Sequence, residues 1–222
     1  KVRPGLYELH AIADGILGEF SAENINVLPG KTIDLRRLDW KPLRFGQQLW
    51  DIGIPNRTGS EFLNGDDYFH WGMYLQYVKL FPNDVNYTIG QSDFHKDWYF
   101  EQVPHVTDDN ATGRGEGRAT TWTIHFKLAN PPHGQATLRL AICGVGSRTI
   151  AVNVNDHPTG TIAGLTYNAT INRDGIGGSW VEKDLAFDAS GMTAGENTLS
   201  LTIPAGPLTA GTIYDYLRLE LH

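Results

Sequence analysis

From Thr121 to the C-terminus the chain is a succession of short apolar runs, each closed by a turn signal, and no long helical period competes with them. The runs are Thr121 to Leu128, Ala136 to Cys143, Thr149 to Val154, a central stretch from Ile162 to Phe187, Asn197 to Ile203, and Ile213 to Leu221. Between them lie Asn130-Pro131-Pro132, Asn155-Asp156-His157-Pro158, Ala194-Gly195-Glu196-Asn197 and Pro204-Ala205-Gly206-Pro207, residues that preset or tolerate turn backbone. Single strands of this length have no stability alone, so the pattern demands an antiparallel β-sandwich. Gln48 to Ile54 reads as a further strand, and residues 46–222 together read as one jelly-roll-like domain.

Residues 1–39 read as a separate, partial sandwich. Val2-Arg3-Pro4-Gly5 forms a turn, Leu6 to Ile12 alternates like a half-buried strand, and Gly18 to Phe20, Ile25 to Leu28 and Thr32 to Leu35 follow. Three or four strands beginning inside a turn are fewer than a stable sandwich uses, which implies partner strands upstream. Around Leu38 to Phe45 the pattern breaks at Trp40, Pro42 and a basic cluster of Arg36, Arg37, Lys41 and Arg44, the composition of a domain junction or solvated linker. From Asp66 to Gln102 runs a long aromatic insertion. Its Tyr74, Tyr77, Val78 and Phe81 recur at spacings of three and four before Pro82-Asn83, which predicts one short core-packing helix with a proline stop.

The balance of 18 basic against 25 acidic residues, a formal charge of −7, argues against nucleic-acid binding by phosphate neutralisation. No apolar run is long enough for a membrane helix. Cys143, the one cysteine, lies in an apolar run and reads as a buried thiol. Four glycosylation sequons, at Asn56, Asn86, Asn110 and Asn168, favour a secreted, extracellular glycoprotein.

Nucleophile elbows, phosphate loops and paired metal-ligand histidines are all missing from the sequence. Gly113-Arg114-Gly115-Glu116-Gly117 imitates a nucleotide fingerprint but follows no strand and reads as a loop. Two places carry possible chemistry. The last strand sets Asp215 in an apolar, aromatic run, where a carboxylate needs hydrogen bonds, an arginine or a structural Ca²⁺ with Asp51 as co-ligand. The segment from Tyr167 to Trp180 holds Tyr167, Asn172, Arg173 and Trp180 around a glycine-rich turn. These suit carbohydrate: rings stack on sugar faces, a guanidinium binds a uronate carboxylate, and an amide reads hydroxyls. The alternative is a hairpin with Trp180 in the core and Arg173 paired to Asp174 or Asp184.

Longer strings carry a family likeness. Leu49-Trp50-Asp51-Ile52-Gly53-Ile54-Pro55-Asn56-Arg57-Thr58, then Tyr87-Thr88-Ile89-Gly90-Gln91-Ser92-Asp93 with Lys96-Asp97-Trp98, then Thr121 to Phe126, Leu138 to Ala141 and Tyr214 to Glu220, resemble in order the last domain of rhamnogalacturonan lyases of polysaccharide lyase family 4. Val2 to Ala11 is similar to the second half of that family's middle, fibronectin-III-like domain. The resemblance implies an all-β fold: a partial fibronectin-III-like sandwich over 1–39 and a jelly-roll module over 46–222. It also implies secretion, a role in pectin and cell-wall degradation, pectic polysaccharide (rhamnogalacturonan I) as ligand, and an N-terminal catalytic domain as partner.

In such lyases β-elimination at the rhamnose–galacturonate bond uses a lysine and a histidine of the first domain. No residue here matches them, so no catalytic residue is carried over, and Lys41 and His70 do not take their place. The expectation is a non-catalytic, pectin-binding C-terminal region. Its alternatives are a structural module packed on the catalytic domain, or one chain of a nicked but assembled lyase.

Overall fold

A computed structural model describes residues 1–67, 69–107, 115–173 and 175–222. Its first element is an antiparallel hairpin, β1 (Gly5–Ala11) with β2 (Phe20–Val27), bulged between Tyr7 and Leu9. Thr32 to Leu35, expected as a strand, has no ladder partner and remains irregular. Then come β3 (Gln47–Gly53), helix α1 (Met73–Leu80), β4 (Asn86–Thr88), the one-turn helix α2 (Phe94–Asp97), and the two-residue β5 (Glu116–Gly117). The remaining strands are β6 (Thr120–Leu128), β7 (Gln135–Val145), β8 (Ile150–Val154), β9 (His157–Ile162), β10 (Val181–Asp188), β11 (Gly195–Ile203), β12 (Gly206–Pro207) and β13 (Thr212–Leu221).

The all-β expectation holds. One sheet has strand order β10-β7-β13-β3 and the other β4-β6-β11-β8-β9, and their inner faces share one hydrophobic core. Among the strands of the described residues the short β4–β6 pair is parallel and the other pairs are antiparallel. Along β11 Leu199, Leu201 and Ile203 are buried and the residues between them half-exposed, as in a sheet with one wet face.

The central stretch expected from Ile162 to Phe187 resolves differently. Only Val181–Asp188 pairs as a strand, and residues 163–180 form a long loop containing one 3-10 turn at Ile171–Arg173. β9 begins at the expected Asn155-Asp156 turn, where both residues have positive φ (49° and 63°), the geometry of a tight hairpin. Its His157-Pro158-Thr159-Gly160 sequence lacks strand alternation. It is tolerated because β9 is the edge strand, where a proline breaks no interior ladder.

The aromatic insertion packs as predicted. α1 follows Gly72, held at φ 85°, buries Met73, Tyr74 and Tyr77, and stops at Phe81 before Pro82. Tyr77 accepts the Trp122 indole N–H at 2.7 Å and donates to Asp84, while Trp98 meets Trp122 edge-on at 4.7 Å between centroids. Buried Gln102 is fully engaged: its carboxamide oxygen accepts the Tyr214 hydroxyl, and its N–H₂ donates to the carbonyls of Thr120 and Leu201.

The outer face of the four-stranded sheet is covered, unlike that of its partner sheet. Register aligns Asp184, Arg139, Arg218 and Asp51 across the four strands. Although charged, Arg139 and Arg218 are only 1% and 4% exposed, and Glu220 is fully buried. Their cover is the linker and the hairpin. Arg139 donates to Asp184, Glu182 and the Leu43 carbonyl and lies over the Phe45 ring. Glu220 accepts the Phe45 N–H at 2.7 Å, and Leu17 from the β1–β2 loop packs on Ala141 and Tyr216. The basic junction is therefore a lid on this sheet. No helix among the described residues is long and apolar enough to cross a membrane.

Candidate carbohydrate-binding surface

The loop 163–180 leaves edge strand β9 of one sheet and enters edge strand β10 of the other. Its shape is imposed by hydrogen bonds and close packing. Asn168 clamps the end of β7, its N–H donating to the Val145 carbonyl while its side-chain oxygen accepts the Val145 N–H. Ile176 accepts the Gly59 N–H at 2.8 Å and the Cys143 thiol, which burial holds well above its usual pKa. A side chain at Gly178 would meet the Thr170 hydroxyl at 2.0 Å, so glycine is required there for close approach.

On this loop Tyr167 is 52% exposed, and its hydroxyl accepts from the Asn172 carboxamide. Arg173, in the 3-10 turn, is also exposed. Thus Tyr167, Asn172 and Arg173 share one outward-facing loop. Asp184 is engaged by Arg139, and Asp174, the other partner considered for Arg173, lies outside the described residues. Beside Tyr167 is a cleft of about 500 Å³ lined by Arg148, Thr149, Gly164, Leu165, Thr166 and Tyr167 itself. On the loop's other flank, the Phe69 ring lies 3.7 Å from where a Gly175 Cβ would stand, and Phe69 and Trp71 are 68% and 75% exposed.

Trp180 sits elsewhere. Its indole N–H donates to Asp215 at 2.8 Å, and the Arg57 guanidinium lies 4.2 Å over its ring. Leu17, Ala141 and Tyr216 pack around it. Its face is thus occupied by protein, which matches the core alternative and not an open stacking platform. The same seam continues outward through Arg57 to Glu19 and then His10. Hydrogen bonding to Glu19 raises the His10 pKa.

Asp215 is fully buried, with one oxygen accepting the N–H groups of Asn56 and Arg57, both at 2.9 Å, and the other accepting Trp180. Burial raises its pKa above the usual aspartate value despite these donors. Asp51 faces a different partner, accepting the Tyr216 hydroxyl at 2.7 Å. Three hydrogen-bond donors thus meet the Asp215 carboxylate, and Asp51 on β3 is engaged by Tyr216.

The sequons separate by environment. Asn86 is exposed. Asn56 is half-buried and donates to Glu61 while accepting from Thr58; Asn168 is the loop clamp, followed by a buried Thr170. Asn110 lies outside the described residues.

Residues that sequence reasoning missed are Phe69, Trp71, Arg148 and Lys183. The first two had a signal: they precede Gly72, where the helix starts, and so fall off its buried face. Arg148 sits in a strand-connecting turn, and nothing local links it to the Tyr167 loop.

The fold is a two-sheet antiparallel sandwich that exposes aromatic and cationic side chains on an end loop. The chain belongs to the CBM-like domain III family of polysaccharide lyase family 4, whose model matches residues 48–219. It is 28% identical to a probable rhamnogalacturonate lyase B of Aspergillus flavus, an alignment covering 99% of this chain and 40% of that protein. It is 27% identical to rhamnogalacturonate lyase B of Emericella nidulans, over 100% of this chain and again 40% of the relative. The chain therefore spans about two fifths of the length of these curated relatives. Among solved structures, a family 35 carbohydrate binding module from an environmental isolate aligns with TM-score 0.32 and 18% identity, covering 54% of this chain and 85% of that one.

Proposed function

We propose that this chain is the polysaccharide-binding C-terminal region of a secreted rhamnogalacturonan lyase, and that its ligand is pectic polysaccharide. The observation that carries the reading is the loop 163–180, which presents Tyr167, Asn172 and Arg173 to solvent with Phe69 against one flank. Exposed aromatic rings stack on the apolar faces of sugars, and the hydrogen bonds at Asn168 and Ile176 limit the ordering cost of presenting them. Family membership and the curated relatives supply the polymer class.

In the whole protein the eliminating base and the charge that stabilises the enolate-like intermediate would belong to an N-terminal catalytic domain. This region would raise the local concentration of polymer through a second, tethered contact. The hairpin β1–β2, with exposed Val2, Leu6, Leu28 and Ile33, fits the later part of a fibronectin-III-like domain whose other strands lie upstream. Exposed Asn86 is the sequon best suited to carry a glycan.

The test is calorimetric titration of the 222-residue chain with rhamnogalacturonan oligosaccharides, with homogalacturonan and xylan alongside, while following ultraviolet absorbance for unsaturated product. Saturable pectic binding without product supports the reading. Failure to bind reduces the region to an interdomain scaffold, and product formation would place chemistry in this chain.

A further inference from the structure

We propose that the cleft beside Tyr167 is a carboxylate-reading subsite that takes one unesterified uronate residue of the polymer, with Arg148 and Lys183 as the cationic pair. The proposal rests on the pectin-binding reading above and adds to it the group that is read and the residues that read it. Arg148 lines the cleft from the β7–β8 turn and is exposed. Lys183, on β10, brings its ammonium to 3.9 Å from the position a Gly164 Cβ would occupy, and Gly164 lines the same cleft. Arg148 thus approaches the cleft from the turn that links the four-stranded sheet to the five-stranded one, and Lys183 approaches its Gly164 wall from edge strand β10.

Neither Arg148 nor Lys183 has a partnering carboxylate among the described residues. This sets them apart from Arg57, Arg118, Arg139 and Lys127, each of which is ion-paired. In a chain of net charge −7, two cations with no carboxylate partner among the described residues are a local reversal of the overall field, which favours an anionic ligand at this place. Arg148 presents the planar fork that matches a carboxylate, and Lys183 adds a compact second charge. The remaining lining fits a pyranose: the Tyr167 ring offers a stacking face, and Thr149 and Thr166 offer hydroxyl partners for sugar hydroxyls. Its volume of about 500 Å³ leaves room for one sugar ring and its bridging waters. Methyl esterification removes the charge that this pair recognises, so the subsite discriminates free from esterified galacturonate.

The experiment titrates the full chain and its Arg148→Ala and Lys183→Gln variants with galacturonate oligomers, the same oligomers methyl-esterified, and inorganic sulfate as competitor. Thermal midpoints serve as the folding control, since Arg148 is exposed and Lys183 half-buried. Expected is a loss of about ten- to a hundredfold in affinity for the free acid in R148A, the scale of a charge-assisted pair, with a smaller loss in K183Q. The esterified oligomer should bind wild type weakly and be indifferent to both substitutions. If R148A and K183Q bind the free acid as wild type does, or esterification leaves affinity unchanged, the subsite is wrong while the pectin-binding reading stands. Competition by sulfate at the potency of galacturonate would reduce the cleft to a general anion site and overturn the uronate assignment. If the wild-type chain binds no pectic oligosaccharide, both readings fall.

Discussion

Trp180→Phe tests how the seam between the hairpin and the sandwich is held. The substitution keeps an aromatic ring for Arg57 and Leu17 but removes one of three N–H donors to the fully buried Asp215. A hydrogen bond to a charged group contributes about 1.5–3 kcal/mol, and the half-buried indole points to the lower half of that range, about 2 kcal/mol. For a protein of this size that is about 4–8 °C in thermal midpoint. Urea unfolding at neutral pH should show a lower midpoint with an unchanged slope. The deficit should shrink on acidification, because the Asp215 pKa is already raised and losing a donor raises it further, so the protonated carboxyl escapes the loss. Trp180→Ala should be worse by the lost ring packing, and a cycle pairing Trp180→Phe with Asp215→Asn should return a coupling of about 0.5–3 kcal/mol. A Trp180→Phe variant within about 0.5 kcal/mol of wild type at neutral pH would refute the argument that this donor sustains the buried carboxylate.

Burial raises the pKa of Glu61, Glu182 and Asp215, so the native state holds protons that the unfolded chain has released. Stability is then fully present below the ordinary carboxyl pKa and is lost as pH rises through the raised values. Calorimetry should therefore show a higher midpoint at mildly acidic than at neutral pH, and the opposite slope would contradict these assignments. Gly53→Ala should cost about 2–4 kcal/mol in chemical denaturation, because Gly53 has φ 89° and an added Cβ would meet the Asp215 carbonyl at 2.6 Å. Trp71→Ala, at a ring 75% exposed, should leave stability within about 0.5 kcal/mol yet weaken pectic-oligosaccharide binding, as read by calorimetric titration. Chain secreted from a glycosylating host should lose one glycan by mass on Asn86→Gln and keep its mass on Asn168→Gln.

Much of this molecule is legible locally. Strand runs and their turns mark β6, β7, β8, β11 and β13, while the spacing of Tyr74, Tyr77 and Phe81 before Pro82 marks α1. Those features depend on side-chain period and turn chemistry, which are properties of neighbouring residues. The ordered motifs from Leu49 to Glu220 likewise sufficed for the family, since they are strings and need no coordinates. β9 was hidden because an edge position tolerates a Pro and a Gly that propensity rejects, and the centre of 163–180 read as strand because its apolar residues anchor a loop.

Other properties arose only from what the register and the chain crossings bring together. Alternation along β13 places Arg218 and Glu220 on the face away from the core, which by period alone would be wet. The linker at 43–45 and the loop at Leu17 close over that face and turn it into a second interior. Asp215 became a hydrogen-bonded anchor because Asn56 and Arg57, some 160 positions earlier, turn their backbone donors toward it. Arg148 and Tyr167 line one cleft, and Lys183 reaches its Gly164 wall, because the chain from β9 to β10 crosses between the two sheets beside the β7–β8 turn. Period and propensity act between neighbours and could dictate the strands. Burial, pairing of charge and the convergence of a cleft act between residues distant in sequence, and only the packed sandwich decided them.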